Sequence, residues 1–211
     1  MNSVSQRTIE RLSLYRRRLM IELADMDYIF SHQLAKISNS TAAQVRRDLM
    51  HLGYTGVPRK GYKIKDLITC ISKFLDPKNI ENVVIVGVGN LGKALLTFFK
   101  GRRPKLSLVA CFDIDESKVG TKIAGVPCFH LNELPQKIKE LKVNIGIISS
   151  TENATKAIAE KMIAAGIKSI INFTCYPLNI ADSENVFLEQ IDITASFEKA
   201  AYFSKTHPKK L

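Results

Sequence analysis

The sequence predicts an α/β chain of two domains, a small helical one followed by an open parallel sheet covered by helices. Three observations carry this. At Asp76-Pro77 the hydrophobic period changes, from helical spacing to short Val/Ile-rich runs alternating with amphipathic segments. Before that point, Phe30–Gly56 reads as two short helices joined by a polar turn. After it, the glycine-rich turn GVGNLG, Gly87–Gly92, links an apolar run to a helical pattern. The expected division is 1–77 for the helical domain, 78–192 for the sheet domain, and 193–211 for a C-terminal helix and tail.

Taken in order, the first helix is expected from about Ser5 to Asp25, with Ile9, Leu12, Leu19 and Leu23 near helical spacing. Arg16, Arg17 and Arg18 lie inside it; three consecutive residues point three ways, so at most two share a partner. Ser31 is placed to cap a short helix, and Asn39-Ser40-Thr41 forms the turn. A second helix runs from Ala42 to Leu52, buries Val45, Leu49 and Leu52, and stops at Gly53. Its outward positions include Ala43, Gln44, Arg47 and His51, with Arg46 at the flank. Gln and Arg are the side chains that bond base edges or phosphates, so this is a candidate recognition helix. Asp48 is expected to pair with a neighbouring cation. The loop Gly53–Tyr62 carries Arg59, Lys60, Gly61 and Tyr62 and reads as a basic wing, closed by the helical stripe Ile64, Leu67, Ile68, Ile71 and Leu75.

Charge supports that placement. The formal net charge is +11, which suits a polyanion such as nucleic acid. Residues 1–80 hold 14 Lys/Arg against 7 Asp/Glu, whereas the longer remainder holds 17 against 13. The basic excess is therefore concentrated in the helical part.

Val83–Val86, Gly87–Gly92 and the helix through Ala94, Leu95 and Phe98 form a strand–turn–helix with a full GxGxxG. Gly87 permits the tight turn, Gly89 lets backbone approach a pyrophosphate, and Gly92 allows close helix–strand packing; Val88, Asn90 and Leu91 complete the cradle. A second strand, Leu106–Phe112, ends at Asp113, 21 positions after Gly92. An acid there bonds the hydroxyls of an adenosine ribose and repels a 2′-phosphate, and Ile114-Asp115 offer no arginine, which favours NAD(H) over NADP(H). Asn144–Ser149 and Ser169–Phe173 read as later parallel strands, with Ala154–Ala165 as a crossover helix stopped by Gly166. Strand ends face the ligand, so Ser149-Ser150-Thr151 and Asn172-Phe173-Thr174 are expected near the nicotinamide half.

No catalytic residue is assigned. A dehydrogenase needs a proton donor beside the hydride acceptor. Of the four histidines, His32 and His51 lie in the helical domain, His207 is in the tail, and His130 has no evident partner. About 20 residues remain after the sheet, too few for a substrate domain. Cys70, Cys111, Cys128 and Cys175 have neither metal-ligand nor CxxC spacing, so no metal is expected and a reduced cytoplasmic setting fits. Leu19–Leu23 is too short and too charged for a signal segment, and no apolar run reaches bilayer-spanning length. Ile193, Phe197, Ala200, Ala201, Tyr202 and Phe203 make an apolar terminal helix that needs a partner surface, on its own sheet or on a second subunit.

These features together resemble the Rex family of redox-sensing transcriptional repressors. The resemblance is carried in order by TAAQVRRDL (Thr41–Leu49), GVGNLGKAL (Gly87–Leu95), FDIDESKVG (Phe112–Gly120), AAGIKSIINF (Ala164–Phe173) and Asp192. It implies a homodimer of N-terminal winged helix-turn-helix domains and C-terminal Rossmann-like domains, with the last helix exchanged. It also implies that NADH lowers operator affinity, that NAD⁺ competes, and that both are effectors rather than reactants. Arg17 and Asp192 match positions implicated in coupling the domains. The chain departs from the family at Phe98, where a tyrosine is common, at Ser149-Ser150-Thr151 in place of Thr-Val-Pro, at Cys175 in place of proline, and in its wing. The competing readings are an NAD-dependent oxidoreductase with an N-terminal extension and a CoA- or nucleotide-binding module.

Overall fold

The computed structural model describes residues 4–22, 26–99, 105–180 and 185–206. Leu23, the expected helix end at Asp25, and His207 lie outside them. The chain divides into two compact units, Met1–Lys78 and Asn79–Leu211.

The first unit holds α1 (Gln6–Glu22), β1 (Tyr28–Ile29), α2 (Ser31–Ile37), α3 (Ala42–His51), β2 (Tyr62–Lys63) and α4 (Ile64–Leu75). Thr41 caps α3, accepting a bond from the Gln44 N–H at 3.1 Å, and Gly53 (φ +66°) follows the helix. Ser31 does not cap α2. The chain enters that helix at Phe30, whose N–H is bonded by the Gln33 side chain at 2.8 Å, and the Ser31 hydroxyl accepts from Arg46 instead. β1 and β2 pair antiparallel, and a Val57–Gly61 bridge closes the loop between α3 and β2. The core joins Leu12, Tyr15 and Leu19 of α1 to Leu34, Val45, Leu49, Leu67 and Ile71. Ile9 is 39% exposed, and buried Tyr15 takes over its expected place in the stripe.

Tyr15 brings a hydroxyl into an apolar core, and Asp48 receives it at 2.9 Å. Arg11 closes a two-pronged bond on the same carboxylate, both contacts at 2.7 Å, and Gln44 adds a fourth at 2.8 Å. Burial alone pushes the Asp48 carboxyl up, but the bonds from Arg11, Gln44 and Tyr15 outweigh it and hold the group below its usual range. Burial pushes the Tyr15 phenol up to about 12. Arg16 is also structural: it is buried and pairs with Asp76 at 2.6 Å, tying α1 to the end of α4.

The second unit contains β3 (Glu81–Val86), α5 (Asn90–Phe99), β4 (Leu106–Asp113), β5 (Lys122–Ile123), β6 (Val126–His130), α6 (Leu134–Glu140), β7 (Val143–Ile148), α7 (Glu152–Ala165), β8 (Ser169–Asn172), β9 (Phe187–Gln190) and α8 (Ile193–Thr206). Among the described residues the strands form one seven-stranded sheet in the order β5-β6-β4-β3-β7-β8-β9, parallel except for the β5–β6 pair. This is a Rossmann-like sheet. One face packs on α6 and α7 through Ile138, Ile158, Ala159 and Met162, and the other on α5 through Leu96. The chain builds outward from β3 to β4 and β6, then returns to place β7 on the other side of β3. That reversal opens a crevice at the carboxyl ends of β3 and β7. β9 extends the sheet beyond the expected strands.

Replacing Asp48 with Ala should destabilise the first unit by about 3 kcal/mol, because it takes the carboxylate from Arg11 and from the buried Tyr15 hydroxyl. The folded carboxyl titrates below its ordinary 3.8, so its contribution is whole above that pH and is lost as pH falls through the lower folded value. Urea denaturation of both proteins across this range checks the point: the gap between them narrows in acid, and a gap that persists unchanged there refutes the ion-pair account.

Candidate functional site

The site begins with a steric constraint. Gly87 has φ +89°, and a Cβ there would stand 2.7 Å from the Ser149 carbonyl oxygen and the Ser150 Cα at the end of β7. A Cβ on Gly92 would overlap the Gly87 carbonyl oxygen. Only hydrogen at both positions lets the turn sit against β7 while α5 starts above it. A Cβ on Gly89, in contrast, meets nothing within 4 Å. Its backbone is open to the space in front of the turn, as a close-approaching pyrophosphate requires.

Asp113 closes the turn from the side. Its Oδ2 accepts the Val88 N–H at 3.0 Å and the Lys118 ammonium at 3.0 Å, and its Oδ1 accepts the Ile114 and Asp115 N–H groups at 2.9 and 3.1 Å. Burial pushes this carboxyl up, and the Val88, Lys118 and Asp115 bonds together bring it below its usual range. The group is an anion held in place.

Gly87, Gly89, Asn90, Leu91, Asp113, Ile114, Ser149 and Ser150 line one cavity of about 490 Å³, joined there by Lys118, Leu131 and Thr151. Two members of the glycine motif do not line it. Val88 is fully buried, offering its N–H to Asp113, and Gly92 serves the helix–strand contact. An adjoining groove of about 450 Å³ shares Ser150 and Thr151 and adds Glu152, Asn153, Phe173, Thr174 and Cys175.

Asn172 reaches neither space, which corrects its expected placement. It is fully buried, and its amide donates to the Tyr176 carbonyl and to Gln190, each at 2.9 Å, while its Oδ1 accepts the Thr174 N–H and hydroxyl. Gln190 in turn donates to the Thr174 carbonyl at 2.9 Å. Asn172 therefore shapes the Phe173–Cys175 loop from below. His130 caps the turn after β6, its Nδ1 accepting the Asn132 N–H at 3.1 Å.

In the first unit Arg47, Arg59 and Lys60 are exposed, and Arg59 sits at φ +63° in the wing loop. Lys60 lies 5.9 Å from the centre of the Tyr28 ring. Arg46 is exposed but bonded to Ser31 at 3.1 Å. Gln44 differs from the outward residue expected, since its amide turns inward to Asp48. Gly61 closes the wing loop on Val57, and Tyr62 packs against the core beside Tyr54. Arg17 is exposed, Phe98 packs edge-to-face on Phe99 with centroids 5.3 Å apart, and Asp192 caps α8 through the Ala195 N–H at 2.8 Å. Among the described residues no cluster of His, Cys, Asp and Glu could hold a metal, and no helix is long and apolar enough to cross a membrane.

Sequence reasoning missed Lys118, Arg11, Tyr15 and Gln190. Lys118 stands five residues past Asp113 in a turn, where no period predicts which way it points. Tyr15 carries a signal, an i, i+3 and i+4 relation to Leu12 and Leu19.

Comparison with known proteins adds two family models and a set of full-length relatives. Residues 78–176 match the model described as "CoA binding domain", and residues 3–49 match the one described as "Putative DNA-binding protein N-terminus". The chain is 35% identical over 201 residues to a redox-sensing transcriptional repressor Rex of Leuconostoc citreum (strain KM20), covering 95% of this chain and 92% of that one. It is 33% identical over 207 residues to the Rex protein of Bacillus subtilis (strain 168), covering 97% and 94%. Among solved structures, RSP, a Rex-family repressor, superposes in its complex with β-NAD⁺ and operator DNA at TM-score 0.89, with 29% identity over 98% of this chain and 94% of that one. Its complex with β-NADH gives TM-score 0.84, with the same identity, over 98% and 96%.

The two glycines of the turn make opposite predictions. Gly92→Ala should destabilise the second unit by about 1–3 kcal/mol despite alanine's better helix propensity, because the added methyl meets a backbone oxygen that cannot yield. Gly89→Ala should stay within about 0.5 kcal/mol of the parent. Thermal melts of the two variants check this, and equal losses would remove the steric account.

Proposed function

The chain belongs to the Rex family of redox-sensing transcriptional repressors, and on that premise we propose that it is an operator-binding repressor whose DNA affinity falls when NADH displaces NAD⁺. It is a regulator, not an enzyme, and the dinucleotides are its effectors. The observation that carries the reading is the crevice at the β3/β7 reversal, where Gly89 is open, the start of α5 faces the space, and Asp113 is fixed at the side. In this reading Gly87, Gly89, Asn90 and Leu91 hold the pyrophosphate on backbone N–H groups, and Asp113, with Ile114 beside it, takes the adenosine ribose. Ser149, Ser150 and Phe173 meet the nicotinamide half. The match to a CoA-binding model describes the same sheet, but the 3′-phosphate of CoA would face the Asp113 anion, which favours a ribose with free hydroxyls.

Operator DNA is met by α3 and the wing. Arg47 is the exposed reader, Arg46 and Gln44 flank it, and Arg59, Lys60, Gly61 and Tyr62 form or support the wing that lies on phosphates or in the minor groove. A DNA partner fits a cytoplasmic protein. The working form is a homodimer, with α8 exchanged. α8 exposes Ile193, Phe197, Tyr202 and Phe203, and on the α5 side of the sheet Ile145, Ile171 and Phe173 remain half-buried. An apolar helix and an incompletely covered apolar sheet face complement one another across a two-fold axis. Arg17, Phe98 and Asp192 are the proposed coupling residues between DNA and nucleotide domains.

Gel shift with operator DNA, with and without NADH, tests the function; DNA affinity unchanged by NADH would refute it. Arg47→Ala should weaken operator binding roughly tenfold while NADH binding is retained. Asp113→Ala should do the reverse, weakening NADH binding roughly tenfold with the unliganded protein still on DNA. Phe197→Asp should turn the dimer into a monomer in sedimentation velocity, and a dimer that persists would remove α8 from the interface.

A further inference from the structure

Asp113 has no vacant place for a ribose. An ionised carboxylate offers about four lone-pair sites. The two oxygens of Asp113 already receive four donors: the N–H groups of Val88, Ile114 and Asp115, and the Lys118 ammonium. The three N–H donors are fixed by backbone in the glycine-rich turn and in the chain just after β4. Lys118 alone reaches the carboxylate on a flexible stem. Its Nζ also lies 3.2 Å from Asp115 Oδ2, so a second carboxylate stands ready to keep it. Lys118 lines the same cavity as Asp113, and its side chain is 23% exposed, so it has room to move.

We propose that Lys118 is a displaceable counter-ion of the dinucleotide site, occupying the ribose position on Asp113 until the nucleotide arrives and then withdrawing to Asp115. This rests on the NAD(H) reading of the cavity given above. Lys118 then sets how tightly either dinucleotide binds and leaves their ratio untouched, because the adenosine ribose is common to NAD⁺ and NADH. The Asp113–Lys118 pair has to be broken before a ribose hydroxyl can take that site, so the lysine lowers affinity. Its presence keeps the acid ionised, oriented and desolvated in advance.

Calorimetric titration of the full-length protein with NADH and with NAD⁺ tests this. Lys118→Met should bind both more tightly, by the same factor of roughly two- to fivefold, the strength of a partly exposed ion pair. Lys118→Arg, which keeps the charge, should return affinity to near the parent value. A merely structural role for Lys118 cannot produce a gain in affinity, and Lys118→Gln provides a second neutral variant should the methionine protein fold poorly. Weaker binding by both neutral variants would make Lys118 a direct ligand and overturn the proposal, as would unchanged affinity. Unequal factors for the two dinucleotides would overturn its placement on their shared half. Failure of the parent protein itself to bind either dinucleotide would instead refute the reading of the cavity, and the counter-ion role with it.

Discussion

The packing of one turn against one strand end holds the second unit's site together. Gly87 lies on the Ser149–Ser150 backbone, and Gly92 lets α5 begin directly over Gly87. From that contact the rest follows. The Ser149 hydroxyl donates to the Gly87 carbonyl at 2.8 Å, so the loop after β7 is registered to the turn after β3. The Val88 N–H reaches Asp113 at the end of β4, so the third strand end is registered as well. Three neighbouring strands thus present their ends at fixed separations around one space. A methyl group at either glycine would open that register before it touched any ligand.

The first unit is organised around a buried anion. Asp48 gathers Arg11, Tyr15 and Gln44, and in doing so it sorts the residues of α3. Gln44 is drawn inward and Arg46, though exposed, is steadied on Ser31, while Arg47 beside it is exposed as well. An ion pair of this kind contributes little net stability once desolvation is counted, yet losing one partner is expensive. It fixes the orientation of α3 on α1, which an apolar core alone specifies less tightly. The same logic applies to Arg16 on Asp76, where a charge inside the arginine cluster holds the domain's last helix rather than a ligand.

The elements with a long, clean period were legible in the sequence. The α3 stripe, the β3–α5 turn and the α7 crossover appear near their expected bounds, because burial on one face imposes its period on the residues. β9 was not legible: Phe-Leu-Glu-Gln is short and at the sheet edge, so no alternation of buried and exposed residues marks it. The motif glycines carry their steric roles in their spacing. Which way a single polar side chain turns is a tertiary matter. Asn172 and Gln44 are of the right type at the right strand or helix position, yet Asn172 is held by Gln190 on the edge strand and Gln44 by the buried Asp48. Lys118 shows the converse, a residue in an irregular turn that reaches the central acid of the site.

A sensor of this kind must distinguish ligands that share most of their atoms. A nucleotide that bound both arrangements of the protein equally would shift nothing. Pyrophosphate and adenosine ribose are the same in NAD⁺ and NADH, so on the proposed reading the glycine turn, Asp113 and Lys118 set occupancy alone. On the proposed reading, the difference of one charge and of ring planarity falls on the groove of Ser150, Thr151, Phe173, Thr174 and Cys175. The floor of that groove is a closed network in which Asn172, Thr174 and Gln190 satisfy one another, and Thr174 also bonds Thr155 of α7 at 3.0 Å. Two residues beyond Gln190, Asp192 caps α8, and the Thr194 hydroxyl of that helix sits 3.0 Å from Cys175 Sγ at the groove's edge. A ligand that displaces the Phe173–Cys175 loop must therefore either break buried hydrogen bonds or carry β9 and the start of α8 with it. The first alternative leaves the buried Asn172 and Thr174 groups unsatisfied, and the second disturbs the β8–β9 ladder, so the loop resists displacement either way. On the proposed reading, the nicotinamide signal and the dimer helix then share one rigid floor.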